Sequence, residues 1–203
     1  MLAAAIQTDI RRVTLEEYFE FEFTSPTKHE YINGQIIPMP YTSDNHGLIA
    51  LNIAHEIKNA IKNKNFRAYA GDRMVYSPFC NDNFYPDVVV VQGEPEHYDF
   101  KGKMKATLNP VVLVEVLSDS TENLDKNEKW SCYREIKSLK QYFLISQHEP
   151  HIEFYTRVDD SNRWVYTYVR GLDEKLSVAG FDISLKDIYD LVNWQAEPKT
   201  EAT

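Results

Sequence analysis

The stretch Pro110-Val111-Val112-Leu113-Val114-Glu115-Val116-Leu117 is apolar at every position except Glu115. A strand that is apolar on both faces is covered on both, as central strands of α/β sheets are. A second stretch, Tyr85-Pro86-Asp87-Val88-Val89-Val90-Val91, has the same character. Pro86 lacks an N–H and suits a strand start. Asp87 therefore falls near a strand end, where α/β sheets commonly carry their sites.

Working outward, Thr14-Leu15-Glu16-Glu17 is a capping box, so a short helix starts there and ends before Pro26. Asn33-Gly34 divides His29 to Pro38 into a hairpin, because Asn-Gly favours the tight turn such hairpins use. Ser43 or Asp44 caps a long helix, with Ala50, Ile53, Ala54, Ile57, Ala60 and Ile61 at helical spacing. Arg67 to Ser77 alternates as one strand, Asn81-Asp82-Asn83 is a turn, and Tyr85 to Val91 is the next strand. Residues 92–109 read as a polar loop. After the 110–117 strand, Ser120 or Thr121 caps a helix whose buried side carries Leu124, Trp130, Tyr133 and Ile136. Tyr142 to Ser146 is a strand, Ile152 to Val158 and Trp164 to Val169 form a hairpin, and Ser184 caps a final helix. The order predicts an α/β fold with a central mixed β-sheet flanked by helices. It predicts a single domain over 14–194 with loose termini at 1–13 and 195–203.

The composition is that of a folded protein, with 13 Tyr and 10 Phe where a disordered chain would have few aromatics. No run of 18 apolar residues is present, so no membrane span or membrane partner is expected. Cys80 and Cys132 have no metal-type spacing and read as unpaired thiols of a cytoplasmic protein. The net charge of −9 excludes bulk electrostatic coating of nucleic acid, which needs lysine and arginine. It is compatible with a site whose acids hold a metal ion.

Glu115 is the informative residue. A carboxylate in a buried strand is costly unless a basic side chain, a metal or a proton shared with a second carboxylate compensates it. Asp87, on the other apolar strand, poses the same problem. Two such acids close together suit Mg²⁺ or Mn²⁺, which take a few carboxylates plus water and substrate phosphate. Lys129 lies on the helix after the 110–117 strand and is placed to reach back over the strand end. Glu30, beside the Asn33-Gly34 turn, is a further candidate acid, although alone it reads as an exposed strand residue. His46 and His55 lack the i, i+4 spacing of a two-histidine metal face and read as ordinary surface or core histidines. Arg67, Arg73 and Lys101 to Lys105 are the candidate phosphate contacts.

Taken together, Asp87 in its Pro-Asp strand and Glu115 in Val114-Glu115-Val116-Leu117-Ser118 resemble the PD-(D/E)XK nuclease superfamily. The chain is most similar to a large bacterial family of restriction-endonuclease-domain proteins within it. The matching motifs are Glu30-Tyr31-Ile32-Asn33-Gly34, His46, Pro86-Asp87, Glu115 to Thr121, Asp125 to Lys129 and Tyr133-Arg134. The resemblance covers roughly residues 14–194. It implies a restriction-endonuclease-like fold and Mg²⁺- or Mn²⁺-dependent endonuclease action on DNA. Asp87 and Glu115 would be metal ligands, Lys129 the water-positioning group and Glu30 an auxiliary acid. Two departures stand out: Leu117 occupies the superfamily's usual lysine position, for which Lys129 substitutes, and Asn127 replaces a glycine of the helix motif. Two alternatives remain: a domain on the same fold that binds nucleic acid without cutting it, and a protein-interaction domain, for example a homodimer through the Tyr-rich strands around Trp164 and Tyr166.

Overall fold

The computed structural model describes residues 12–194, and most of the two expected loose termini lie outside the described residues. Thr14 closes both halves of its capping box and starts α1 (Leu15–Thr24). The Asn33-Gly34 turn, with both residues at positive φ, joins β1 (His29–Ile32) to β2 (Gln35–Pro38). Ser43 caps α2 (Asp44–Ala60), its hydroxyl accepting from the His46 N–H.

Arg67 to Ser77 is two strands, β3 (Phe66–Ala70) and β4 (Val75–Ser77), in different sheets. The chain turns at Gly71, whose φ of +77° a side chain would resist. Tyr85 to Val91 does not run as one strand either: β5 (Asp82–Phe84) ends before Tyr85 and β6 (Val88–Gln92) starts after Asp87. Pro86, with no N–H for a ladder, sits in the break. The supposed loop at 92–109 contains the hairpin β7 (His97–Phe100) and β8 (Met104–Thr107), which turns through Lys101 and Gly102 at positive φ.

β9 (Pro110–Leu117) is a buried central strand. After it come α3 (Glu122–Leu124), a π-helical turn at Asp125–Lys129 and α4 (Trp130–Tyr133). Thr121 stands at the start of α3 without a side-chain capping bond. Then follow β10 (Gln141–Ser146), β11 (His151–Val158) and β12 (Arg163–Arg170). An unanticipated hairpin, β13 (Lys175–Val178) and β14 (Phe181–Ser184), precedes α5 (Leu185–Ile188), a single turn capped by Ser184.

The mixed sheet has the order β12-β11-β10-β9-β6-β3, with β9 and β10 parallel and the other neighbours antiparallel. One face packs Val88, Val90, Val112, Val114 and Val116 beneath Ile49, Ile53 and Ile57 of α2 and Leu185 and Ile188 of α5. The opposite face packs Val89, Leu113 and Leu144 against Tyr133 and Ile136, and against Val75 and Phe84 of the second sheet. That second sheet, ordered β2-β1-β5-β4-β8-β7, carries Tyr18 and Phe19 of α1 among Tyr31, Met74, Tyr76 and Phe100.

The cysteines are a further correction: Cys80 and Cys132 form a disulfide, with Cα atoms 5.7 Å apart across 52 residues. It ties the β4–β5 turn to α4. Asp82 lies beside it, its carboxylate 3.8 Å from the Cys132 Sγ and pushed up to about 6 by burial. Closing so long a loop stabilises by about 4 kcal/mol in the chain-entropy view. Reduction, or a Cys80→Ser variant, is expected to lower the unfolding midpoint in denaturant by a matching amount. An unchanged midpoint after thiol titration has shown full reduction would refute this.

Candidate active site

The β6–β9 ladder brings the two key acids together. Val88 pairs with Val114, so the next position back places Asp87 opposite Glu115. Because successive side chains alternate faces, Glu115 leaves the aliphatic layer under α2 and points to the side carrying Lys129 and Tyr133. There it is 4% exposed.

Lys129 answers the charge problem that Glu115 raised. Its ammonium lies 3.2 Å from Glu115 Oε1, 2.9 Å from Glu30 Oε1 and 3.0 Å from Asp125 Oδ1. The Tyr133 hydroxyl donates to the same Glu115 oxygen at 3.1 Å. Asp125 and Lys129 bracket the π-helical turn, and both are buried. Such turns often interrupt α-helices at functional sites. Asn127 sits inside it with φ outside the left-handed region, so the motif's glycine is not needed for backbone freedom in this chain.

Glu30 is buried rather than exposed, because β1 is covered on both faces; it accepts the Tyr85 N–H at 3.0 Å. Asp87 is aimed by two donors. The Val116 N–H reaches its Oδ2 at 2.7 Å, and His46 Nε2 lies 3.0 Å from its Oδ1. A carboxylate only accepts, so Nε2 carries the hydrogen. His46 thus lines the cleft in contact with Asp87, where spacing alone read it as ordinary. Its buried Nδ1 has no hydrogen-bond partner among the described residues. The signal in the sequence was its position in the first turn of α2, after a serine cap.

The electrostatics are lopsided. Four carboxylates (Glu30, Asp87, Glu115 and Asp125) face one ammonium. Burial holds the Glu115 carboxyl well above the usual range against the opposing pull of Lys129, and Asp125, Asp87 and Glu30 push it further. Burial also raises Asp125. Lys129, despite its own burial, is held well above the ordinary lysine value by these acids. A hard oxygen donor set with excess negative charge fits a divalent cation. Asp87 keeps free lone pairs, and both hydrogen bonds to Glu115 fall on a single oxygen, Oε1.

All four sequence-selected residues, Asp87, Glu115, Lys129 and Glu30, line one cleft of about 510 Å³, together with His46 and Asp125. The proposed phosphate contacts do not line it. Arg67 pairs with Glu94, Arg73 bonds Thr107, Lys101 and Lys103 hold Glu20, and Lys105 faces Asp99. Among the described residues no helix is long and apolar enough to cross a membrane.

This sheet, with helices on both sides and an acid pair on adjacent central strands, defines a restriction-endonuclease-like α/β protein. The chain belongs to the Uma2 family, described as "putative restriction endonuclease", whose model matches residues 15–186. It is 33% identical over 159 residues to the Synechocystis protein sll1609, covering 78% of this chain and 88% of that one. It is 28% identical over 189 residues to slr1290 of the same organism, covering 93% and 97%. A solved structure from Anabaena variabilis, described as a "putative nuclease belonging to DUF820", superposes with a TM-score of 0.68. That match has 19% identity and covers 87% of this chain and 97% of the other, a likeness of fold.

Truncating His46 removes one of the two groups that orient Asp87. Loss of such an outer partner commonly weakens a metal site about 10- to 100-fold. His46→Ala is expected to weaken Mn²⁺ binding by that factor, with His46→Gln recovering part of it. Unchanged affinity in His46→Ala would show that the Val116 N–H alone suffices.

Proposed function

We propose that this protein is a divalent-metal-dependent endonuclease that hydrolyses DNA phosphodiester bonds. The observation that carries the reading is the Lys129 ammonium 3.2 Å from Glu115, whose strand neighbour is Asp87. Asp87 and Glu115 would hold Mg²⁺ or Mn²⁺. That ion supplies positive charge for the scissile phosphate and lowers the pKa of a bound water. Lys129 orients the attacking water and offsets charge developing on the phosphate. Glu30, Asp125 and the Tyr133 hydroxyl keep Lys129 and Glu115 in place, and Glu30 is an auxiliary acid. A lysine pointing away from the acids would have favoured a binding domain without cutting; its actual position supports hydrolysis.

Incubating supercoiled plasmid with the protein tests this. Nicking in Mg²⁺ or Mn²⁺ that stops with EDTA and is absent in Asp87→Asn is the expected result. Metal-independent nicking, or full activity in Asp87→Asn, would sink the assignment.

A second reading concerns assembly. β12 is an edge strand, and Val165, Tyr166 and Tyr168 are at least half exposed on it. That supports a homodimer through this strand, testable by the sedimentation of Tyr166→Lys. Trp164 is not part of the exposed set: it packs on Trp130 and under Arg157. The protein would act in the cytoplasm, where reducing conditions would open the Cys80–Cys132 bond.

A further inference from the structure

The cleft's walls do not suit a duplex. Among the described residues its lining carries five carboxylates, the fifth being Asp119, and Lys129 as its sole lysine or arginine. That lysine is already committed to three acids. A protein that grips duplex DNA along its backbone neutralises many phosphates with cationic side chains. Here the basic residues of the β3, β4 and β7–β8 region are bound to partners away from the cleft.

The other wall is apolar. Ile37, Pro38, Met39 and Pro40 line it, and the Tyr41 ring is fully exposed at its edge. The segment is held at both ends. The Met39 N–H donates to the Lys28 carbonyl at 3.0 Å, and Ser43 caps α2 and bonds Gln147. Pro38 and Pro40 flank the Met39 anchor and restrict the chain there. The lining also includes the uncharged polar side chains of Ser118, Ser120, Thr121 and Gln147.

The reacting groups lie on the cleft floor, with Glu115, Glu30 and Lys129 each 4–5% exposed. A cleft of about 510 Å³ is the size of a small-ligand pocket. A phosphate that reaches such a floor brings its own nucleotide in with it, and that nucleotide's base has left any duplex stack. An unpaired base then meets a wall of proline, methionine and tyrosine. Base–aromatic stacking is uncharged and serves any base.

We propose, building on the nuclease reading, that the substrate is unpaired DNA, either a single strand or a flap. One nucleotide enters the cleft with its base stacked on Tyr41 and against Pro40, and its phosphate is placed over Asp87 and Glu115. Tyr41 and the apolar wall select for the unpaired strand, and few phosphates are gripped outside.

The test compares a single strand, its duplex and a flapped duplex of the same sequence, each carrying 2-aminopurine. Both cleavage in Mn²⁺ and equilibrium binding in Ca²⁺ are followed. The single strand and flap are expected to be favoured at least 10-fold over duplex in kcat/KM and in Kd. Tyr41→Ala is expected to raise Kd and KM about 10-fold, with kcat within about twofold and reduced 2-aminopurine quenching, matching the stacking of one base. Tyr41→Trp should restore both. The slope of log affinity against log salt should stay near −1, the value for one or two single-strand phosphates. Duplex cut as well as single strand, or Tyr41→Ala binding like wild type, overturns the inference and leaves the nuclease reading standing. If no DNA is cut, the nuclease reading fails, and the binding arm still decides this inference by the same preference and the same Tyr41 dependence.

Discussion

Lys129→Met is expected to lower metal-dependent DNA cleavage by about 10²- to 10⁴-fold, the usual contribution of a positioned acid–base or electrostatic group. It should also destabilise the fold. The variant leaves Glu30, Glu115 and Asp125 facing one another at 5% exposure or less with no cation among them. Breaking a buried ionic cluster from one side typically costs about 3–5 kcal/mol. The acids will relieve part of this by taking up protons, so the loss should shrink as the pH is lowered. Added Mn²⁺ should also restore part of the stability, since a cation again faces the acids. Denaturant unfolding at two pH values, with and without Mn²⁺, reads both effects. A variant as stable as wild type at neutral pH would mean that the acids carry no net charge there. The ion-pair account of Lys129 would then be wrong.

Glu115→Gln is the second large effect. It keeps the shape and removes the charge, so cleavage should fall by about 10³-fold, while folding is retained. The pH dependence separates this from a packing defect. The folded-state pKa of Glu115 is raised, so the native protein binds more protons here than the unfolded chain does. Wild-type stability from this group is therefore greatest at low pH and declines as pH rises towards the raised value. The amide does not titrate, so the variant's stability profile should be flatter over that window. In the same window a proton competes with the metal for Glu115, so wild-type cleavage should rise with pH. Parallel stability profiles for the two proteins would contradict the assignment of the raised pKa to Glu115.

The site was legible in the sequence to the extent that it broke a local rule. Glu115 within a valine-rich strand and Asp87 behind a proline are conflicts between residue and environment, and both resolve in the cleft. The helix caps and the Asn33-Gly34 turn were legible because their chemistry is local. What depends on distant partners was not. His46 reaches Asp87 across 41 residues, and its place after a serine cap marks a helix start without naming that partner. The Cys80–Cys132 pairing needs the β4–β5 turn to lie against α4, which spacing cannot reveal. Tyr133 read as a core residue, and it is one, yet its hydroxyl serves Glu115. The hairpin at β7–β8 hid among charged residues because its strands are short and half-exposed, with only Phe100, Ala106 and Thr107 buried. The π-helical turn left no mark in the periodicity, although Asp125 and Lys129, an i, i+4 pair, bracket it.

The central claim is that Asp87 and Glu115 hold a divalent cation. Calorimetric titration of Mn²⁺ into the wild type and into Asp87→Asn tests it most directly. The account predicts saturable binding of one ion to the wild type, tightening as pH rises, and its loss in the variant. Equal binding by both proteins, or none by the wild type even with uncleaved DNA present, would contradict it and leave the carboxylates as partners of Lys129 alone.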